Sequence, residues 1–154
     1  MTKKLRPVLV ALAAATLAHG VFAQATKPED AAIKYRQAAF IVMAKHFGSL
    51  GAMASGKVAY DAKVAAADAD VLSVVAALPF TAFGPGTDKG SIKTEAKPEV
   101  WKDQAKFDQA HKDMQAEMDK LIPAARSGSL DQLKTAFGAT GKTCKGCHDN
   151  FKTK

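Results

Sequence analysis

Apolar residues recur at intervals of three and four over most of the chain beyond residue 27, the spacing typical of amphipathic α-helices. The pattern separates into four stretches, and none shows the strict alternation of a half-buried strand. The first predicted helix begins near Pro28, because acidic residues follow the proline, and glycines at 48, 51 and 56 predict its end. Its apolar positions are Ile33, Phe40, Met43, Phe47 and Leu50.

The second predicted helix runs from about Tyr60 to Leu78 and stops at Pro79, which cannot continue the helical hydrogen bonding. Its predicted buried stripe consists of Val64, Ala67, Val71, Val74, Val75 and Leu78. The connection that follows, residues 79–97, is rich in glycine, proline and threonine. It is therefore predicted to lack regular structure.

The third predicted helix begins at Pro98 and carries apolar residues at intervals of seven, with Trp101 and Met118 flanking the same face. The residues at this interval are Val100, Phe107, Met114 and Leu121. Pro123 is predicted to kink or end this helix.

The fourth predicted helix begins after Ser129, which forms a capping-box pair with Gln132. Its apolar stripe consists of Leu130, Leu133 and Phe137. Four helices joined by two short links and one longer link predict an all-α fold, an antiparallel up-down four-helix bundle. Such a bundle can hold a cofactor in its core between facing helices.

The first 23 residues have the composition of a secretory signal peptide. Lys3, Lys4 and Arg6 form a positive start, an apolar stretch follows at 8–18, and Ala23 is the small residue that cleavage requires. The apolar stretch is shorter than the ~20 residues that span a bilayer, so a retained anchor is the less favoured alternative. We predict a signal peptide, residues 1–23, cleaved after Ala23, and one exported domain, residues 24–154, with no membrane attachment.

The charge of the chain gives no indication of a nucleic-acid partner. The sequence has 22 basic and 15 acidic residues, a formal net charge of +7. The predicted signal peptide contains three of the basic residues and none of the acidic ones, so the exported domain has a net charge of only +4.

The segment Cys144-Lys145-Gly146-Cys147-His148 has the Cys-x-x-Cys-His pattern that attaches c-type haem. On a helix its three reactive side chains share one face, so two thiols can reach the haem vinyl groups while His148 supplies an axial nitrogen. One covalent haem c is therefore predicted on the last helix. A redox-active disulfide between Cys144 and Cys147 is disfavoured by the lack of a βαβ pattern, and a zinc site would need a fourth ligand.

Four segments together resemble the cytochromes c′, the class II c-type cytochromes. They are residues 34–37 (KYRQ), 78–87 (LPFTAFGPGT), 98–101 (PEVW) and 144–148 (CKGCH). The resemblance covers the exported domain and implies a periplasmic four-helix bundle, usually a homodimer, with a five-coordinate, high-spin iron bound by His148. It also implies that an apolar side chain of the first helix closes the opposite, distal face of the haem, and this position corresponds to Phe40.

The residue at position 40 distinguishes two branches of the family, since in the low-spin branch a methionine at this position binds the iron. Phenylalanine cannot ligate iron, so the resemblance implies a crowded but open site that admits nitric oxide and carbon monoxide. The alternative is a six-coordinate electron carrier in which Met43, one turn after Phe40, supplies the sixth ligand. A methionine on an apolar stripe is more often part of the core.

The resemblance further implies that Arg36 and Gln37 lie against the haem propionates and that Glu95 helps to close the same edge. A guanidinium matches a carboxylate geometrically, although an exposed helix arginine is the alternative. Lys152 stands four residues after His148, where relatives often carry an arginine. Lysine lacks the planar fork of arginine, so a proximal role of that arginine does not carry over.

Two classes of function follow from these features. The first is a gas-binding haem protein, and the second is an electron carrier that passes single electrons to a periplasmic redox partner. Phe40 favours the first class, because an apolar distal wall selects small uncharged ligands. No catalytic acid–base pair is recognised, so no enzymatic activity is predicted. His46 and His111 each follow or precede a lysine and are predicted to be solvated surface rather than ligands.

Overall fold

The computed structural model describes residues 26–153, so the predicted signal peptide lies outside the described residues. The helices are α1 (Pro28–Ala54), α2 (Ala62–Val75), a 3₁₀ helix (Leu78–Ala82), α3 (Glu99–Lys102), α4 (Gln104–Arg126) and α5 (Leu130–Phe151). Within residues 26–153 the only β-type pairing is an isolated bridge between Ala96 and Lys152. The all-α prediction is confirmed.

The four long helices form the predicted bundle. α1 packs against α2 and α5, and α4 packs against the same two helices, which closes the ring of four. The main core between them includes Leu50, Met53, Leu72, Met114, Met118, Leu121 and Leu133. A second buried cluster consists of Val100, Phe107 and Phe151.

α1 is longer than the glycines suggested. It continues through Gly48 and Gly51 to Ala54, and Gly56, with φ of +72°, leads the chain out of the helix. Position 51 requires a glycine because α1 and α5 approach each other closely there: a Cβ at this position would lie 2.6 Å from Cζ of Phe137. Gly51 therefore allows α5 to approach α1.

The predicted buried face of α2 is wrong. Val64 and Val74 of the predicted stripe are 45% and 68% exposed. The buried positions are instead Ala65, Asp68, Ala69, Leu72 and Ala76. α2 packs against α1 and α4 through these mostly small residues. Val64 and Val74 face outward, whereas Val75 is partly buried and packs against the main core.

The segment from Ala62 to Ala82 is apolar and long enough to cross a membrane by length and composition alone. Its continuous α-helix, α2, has only 14 residues, about 21 Å in length, which is shorter than a bilayer core. The packing of α2 against α1 and α4 accounts for its apolar composition, and we describe it as a helix of the bundle.

The predicted third helix is divided at Asp103, whose carboxylate accepts a hydrogen bond of 3.3 Å from the Lys106 backbone N–H and so caps α4. The apolar residues at intervals of seven are all buried, as predicted. Pro123 does not end the helix, since α4 continues to Arg126. α5 is capped as predicted, because Ser129 Oγ accepts a 3.4 Å hydrogen bond from the Gln132 backbone N–H.

Candidate haem site

A cavity of about 710 Å³ lies between α1 and α5 and is closed on other sides by α4, the 3₁₀ helix and residues 94–96. Exposed residues of α1 and α5 are among its lining, so the cavity reaches the surface along this side. Its walls are mainly aliphatic and aromatic side chains. A flat, mostly apolar group with one polar edge therefore matches the cavity.

The three residues of the Cys-x-x-Cys-His motif line this one cavity, as their shared helix face predicts. Cys144 packs against the main core, Cys147 packs against the second cluster, and both are free thiols. Burial raises the pKa of both thiols. The pKa of His148 is lowered, first by desolvation and then by nearby Lys152, which favours the neutral, metal-binding form of the imidazole.

Phe40 lies on the α1 wall of the cavity, while the motif lies on the α5 wall. The Phe40 ring meets the Phe80 ring edge-on at 5.7 Å between centroids, and the Phe83 ring at 6.4 Å. Met43 also lines the cavity and packs against the main core, in agreement with its interpretation as a core residue. The distal role of Phe40 stays a prediction and is argued below.

The aromatic residues that form the other walls were not predicted to be site residues. Phe80 and Phe83 lie in or directly after the 3₁₀ helix, in the connection predicted to lack regular structure. Phe83 contacts Phe107 at 5.0 Å between centroids, and Phe107 contacts Phe151 at 5.3 Å. The spacing of three between Phe80 and Phe83, the length of one 3₁₀ turn, was the available signal.

Arg36 is buried, with 2% of its surface exposed, so the alternative of an exposed helix arginine is wrong. Its Nη1 donates hydrogen bonds to the backbone oxygens of Ala82 at 3.0 Å and Thr87 at 2.9 Å. Its Nη2 donates to Thr94 Oγ1 at 3.1 Å. These bonds fasten the long connection to α1.

The Arg36 guanidinium also lies over two aromatic rings, 4.6 Å from the centroid of Phe83 and 5.4 Å from that of Trp101. Burial lowers the pKa of Arg36, and Asp88 opposes this effect. Arg36 remains charged even so, because its two ring contacts and three hydrogen-bond acceptors offset the free-energy cost of burying the guanidinium. Arg36 lines the cavity, but its contact with haem propionates stays a prediction.

Gln37 and Glu95 are both among the residues that line the cavity, and their place beside the haem propionates stays a prediction. Gln37 Nε2 donates to the backbone oxygen of Lys93 at 2.9 Å. Glu95 Oε2 lies 3.0 Å from Lys152 Nζ, and the hydrogen bond from Lys152 is the main cause of a lowered pKa for Glu95. The position of Lys152, four residues after His148, gave no indication of this ion pair in the sequence.

Backbone hydrogen bonds join the same two segments. The N–H of Thr153 donates to the oxygen of Glu95 at 2.8 Å, and the N–H of Lys97 donates to the oxygen of Phe151 at 2.9 Å. The end of α5 is therefore attached to the connection between the 3₁₀ helix and α3. Because α5 carries the cysteines and the histidine, this attachment fixes one end of the cavity.

His46 and His111 are both partly buried rather than fully solvated, so that prediction is wrong. His46 Nδ1 lies 2.7 Å from Asp68 Oδ1, between α1 and α2. The His111 ring stacks on Phe80 at 3.8 Å between centroids, and burial lowers its pKa. The lysines beside them in sequence point to different sides of their helices, so they are poor indicators of exposure. Neither histidine lines the cavity.

The residues fit a covalent haem c. Two thiols and an imidazole share the α5 wall, the remaining walls are apolar and aromatic, and the charged groups of Arg36 and Lys152 lie among the lining residues. A porphyrin bound by thioether links to Cys144 and Cys147 would present its iron to His148.

Comparisons with known proteins agree with this site. Residues 31–152 match the family Cytochrome C'. The cytochrome c′ of Rubrivivax gelatinosus is 54% identical over 131 residues, which cover 85% of this chain and 100% of the relative. That of Alcaligenes xylosoxydans xylosoxydans is 46% identical over 131 residues, 85% of this chain and 99% of the relative.

Solved structures give the same result. The crystal structure of the Rubrivivax gelatinosus cytochrome c′ has a TM-score of 0.79 and 54% identity, covering 84% of this chain and 100% of the other. A nitric oxide complex of a variant of cytochrome c prime from Alcaligenes xylosoxidans has a TM-score of 0.76 and 46% identity, covering 84% and 98%. This chain therefore belongs to the cytochrome c′ family, the four-helix bundles that carry covalent haem c.

Proposed function

We propose that this protein is a periplasmic haem c protein that binds nitric oxide and carbon monoxide at a five-coordinate, high-spin iron. The observation that carries the proposal is the pair of facing walls. The motif with His148 lies on α5, and Phe40, which cannot ligate iron, lies on α1. The iron of the haem supplies the gas-binding position.

The residues of the chain determine which ligands reach that position. Cys144 and Cys147 would hold the haem, and His148 would be its axial protein ligand. The aromatic and aliphatic walls disfavour charged or strongly polar ligands, because such ligands would lose hydration without gaining partners. With its ring over the iron, Phe40 would restrict this position to small ligands such as diatomic molecules. The nitric oxide complex of the variant cytochrome c prime described above supports this choice of ligand.

An electron-transfer role is the second candidate, and Met43 is the observation in its favour. Its thioether lies on the same cavity wall as Phe40. If Met43 bound the iron, the protein would be a six-coordinate carrier serving a periplasmic redox partner. We infer a binding or carrier protein rather than an enzyme in either case, since no residue of the cavity forms a catalytic acid–base pair.

We further propose that the chain is exported, cleaved after Ala23 and assembled as a homodimer. Export agrees with the haem motif, because c-type haem is attached outside the inner membrane of bacteria. The dimer is supported by apolar side chains that stand exposed on α1 and α2. They are Tyr35, Ile41 and Val42 of α1 and Val64 and Val74 of α2, each more than 40% exposed; of these, Ile41 also lines the cavity.

Absorption spectra of the purified ferric and ferrous protein, with intact-mass measurement, test the proposal. We expect one haem per chain, a chain beginning at Gln24, high-spin spectra in both oxidation states and a new spectrum on adding carbon monoxide. A low-spin spectrum that carbon monoxide leaves unchanged would overturn the proposal. Met43→Leu is then the matched variant, since its conversion to high spin would identify Met43 as the sixth ligand.

A further inference from the structure

We propose that Phe80 is a positioning residue for gas binding: it lines the same cavity as Phe40, packs against the Phe40 ring and, backed by His111, limits how far that ring can move. The inference rests on the proposed distal role of Phe40. It assigns a function to two aromatic residues that do not ligate iron.

Three rings in contact carry the inference. Phe40 meets Phe80 edge-on, with an interplanar angle of 80° and 5.7 Å between centroids. Phe80 lies almost parallel to His111, with an interplanar angle of 11° and 3.8 Å between centroids. The rings belong to α1, the 3₁₀ helix and α4 in turn. A continuous aromatic contact therefore leads from α1 through the 3₁₀ helix to α4.

Phe80 is held firmly in this row. Pro79 before it is buried and fixes its own backbone φ, while Arg36 of α1 bonds to the backbone oxygen of Ala82 two residues later. Phe80 packs against both buried clusters and lies 6.0 Å from Phe107 between centroids. Since such interiors are close-packed, Phe80 cannot move back without disturbing several neighbours.

A gas that enters beside Phe40 has to displace its ring. The ring can move only as far as its neighbours allow, and Phe80 is nearer to it than Phe83 is. A smaller side chain at position 80 would open space beside the Phe40 ring. The ring would then retreat at lower cost, and gas would bind more tightly although position 80 need not touch the gas.

A double-mutant cycle with carbon monoxide as the probe tests this on the full, haem-loaded protein. We expect Phe80→Leu alone to raise the affinity for carbon monoxide roughly fivefold. In the Phe40→Ala background, where no ring remains to be supported, the same substitution should leave the affinity unchanged. Crystal structures of the parent and Phe80→Leu proteins without gas supply a second readout, in which the Phe40 ring shifts into the vacated space.

Phe137→Leu is the matched control. Phe137 is a half-buried ring that does not line the cavity itself. It stacks at 4.4 Å between centroids on Phe47, which lines the cavity two turns of α1 after Phe40, so this variant loosens a cavity ring other than Phe40. This variant should lose comparable packing without changing carbon monoxide affinity. If Phe80→Leu fails to load haem, His111→Leu tests the same row from its outer end, and about a twofold rise in affinity is expected.

The outcomes separate this inference from the proposed function. Unchanged affinity in Phe80→Leu, or in His111→Leu where that variant is used, overturns the inference alone if Phe40→Ala raises affinity. An equal rise in both backgrounds also overturns it, because the substitution would then act on the haem directly. Unchanged affinity in Phe40→Ala overturns the distal role of Phe40. The role of Phe80 and the part of the proposed function that rests on Phe40 are then overturned as well.

Discussion

Arg36 on α1 donates a 3.1 Å hydrogen bond to the hydroxyl of Thr94, 58 residues further along the chain. Together with its bonds to Ala82 and Thr87, this contact ties the long connection to α1. The connection carries the aromatic wall of the cavity. Arg36 therefore has a structural role in the bundle that does not depend on contact with haem propionates.

Replacing Arg36 by lysine should destabilise the haem-loaded protein by about 1–3 kcal/mol, since one ammonium cannot satisfy three separated acceptors and leaves buried carbonyls unpaired. Denaturant unfolding measures this difference. Lys34→Ala on the exposed side of α1 is the control and should change the free energy of unfolding by less than about 0.5 kcal/mol. Equal stability of the parent and Arg36→Lys would contradict the structural role.

Two glycines of α1 should respond oppositely to alanine. A Cβ at Gly51 would lie 2.6 Å from Cζ of Phe137, so Gly51→Ala should cost about 1–3 kcal/mol by overpacking α1 against α5. Gly48 has open space around its Cβ position, and Gly48→Ala should stabilise the helix by roughly 0.5–1 kcal/mol. Thermal unfolding of both variants provides the measurement. The same sign of change in both would refute the close approach of the helices.

The Glu95–Lys152 pair should give a small acid-dependent contribution to stability. The pKa of Glu95 lies below its ordinary value of 4.5 in the folded protein, mainly because of the hydrogen bond from Lys152. Its contribution is therefore complete above the ordinary value and disappears as pH falls through the lowered pKa. The stability difference between parent and Glu95→Gln should shrink in that acidic range.

Glu99→Gln, which removes an exposed carboxylate from α3, is the control for this acid dependence. Carbon-13 NMR titration of the Glu95 carboxyl gives an independent reading. A pKa of Glu95 at or above its ordinary value would show that the pair does not form in solution. Equal stability of the parent and Glu95→Gln at neutral pH would show the same. High salt should reduce the difference, because both partners are exposed.

The proposed dimer should depend on the outward face of α2. Val74 is 68% exposed, and Val74→Glu would place a charge in an apolar interface. Sedimentation at micromolar concentration should give a dimer for the parent and a monomer for this variant. Ala116→Glu, at an exposed position of α4, should remain dimeric. A monomeric parent would refute the dimer itself.

Much of the fold was predictable because α3 and α4 keep a strict apolar periodicity. Val100, Phe107, Met114 and Leu121 recur at intervals of seven, and all are buried. α2 was not predictable in the same way, since it has apolar residues on both faces. Larger valines outlined one stripe, whereas close helix packing buried the smaller residues Ala65 and Ala69. Hydrophobicity alone cannot show which of two apolar helix faces is buried.

In the site, the common placement of the Cys-x-x-Cys-His side chains was predictable, because their spacing alone puts all three on one face of a helix. Contacts that join distant segments could not be read. The acceptors of Arg36, and Glu95 itself, lie on residues 79–97, a connection whose path depends on the whole bundle. His111 likewise meets Phe80 only because α4 packs beside the 3₁₀ helix.

The most direct test of the account is carbon monoxide binding to the ferrous protein and to its Phe40→Ala variant. Removing the ring should raise both the affinity and the association rate by at least about tenfold, roughly 1.4 kcal/mol in equilibrium terms. The loss of packing, up to about 3–5 kcal/mol for a fully buried ring, requires that the variant first be shown to be folded and haem-loaded. Phe40→Met should in contrast shift the spectrum toward six-coordinate, low-spin iron. If a folded, haem-loaded Phe40→Ala protein binds carbon monoxide with unchanged affinity and rate, Phe40 does not control the ligand site and the account is contradicted.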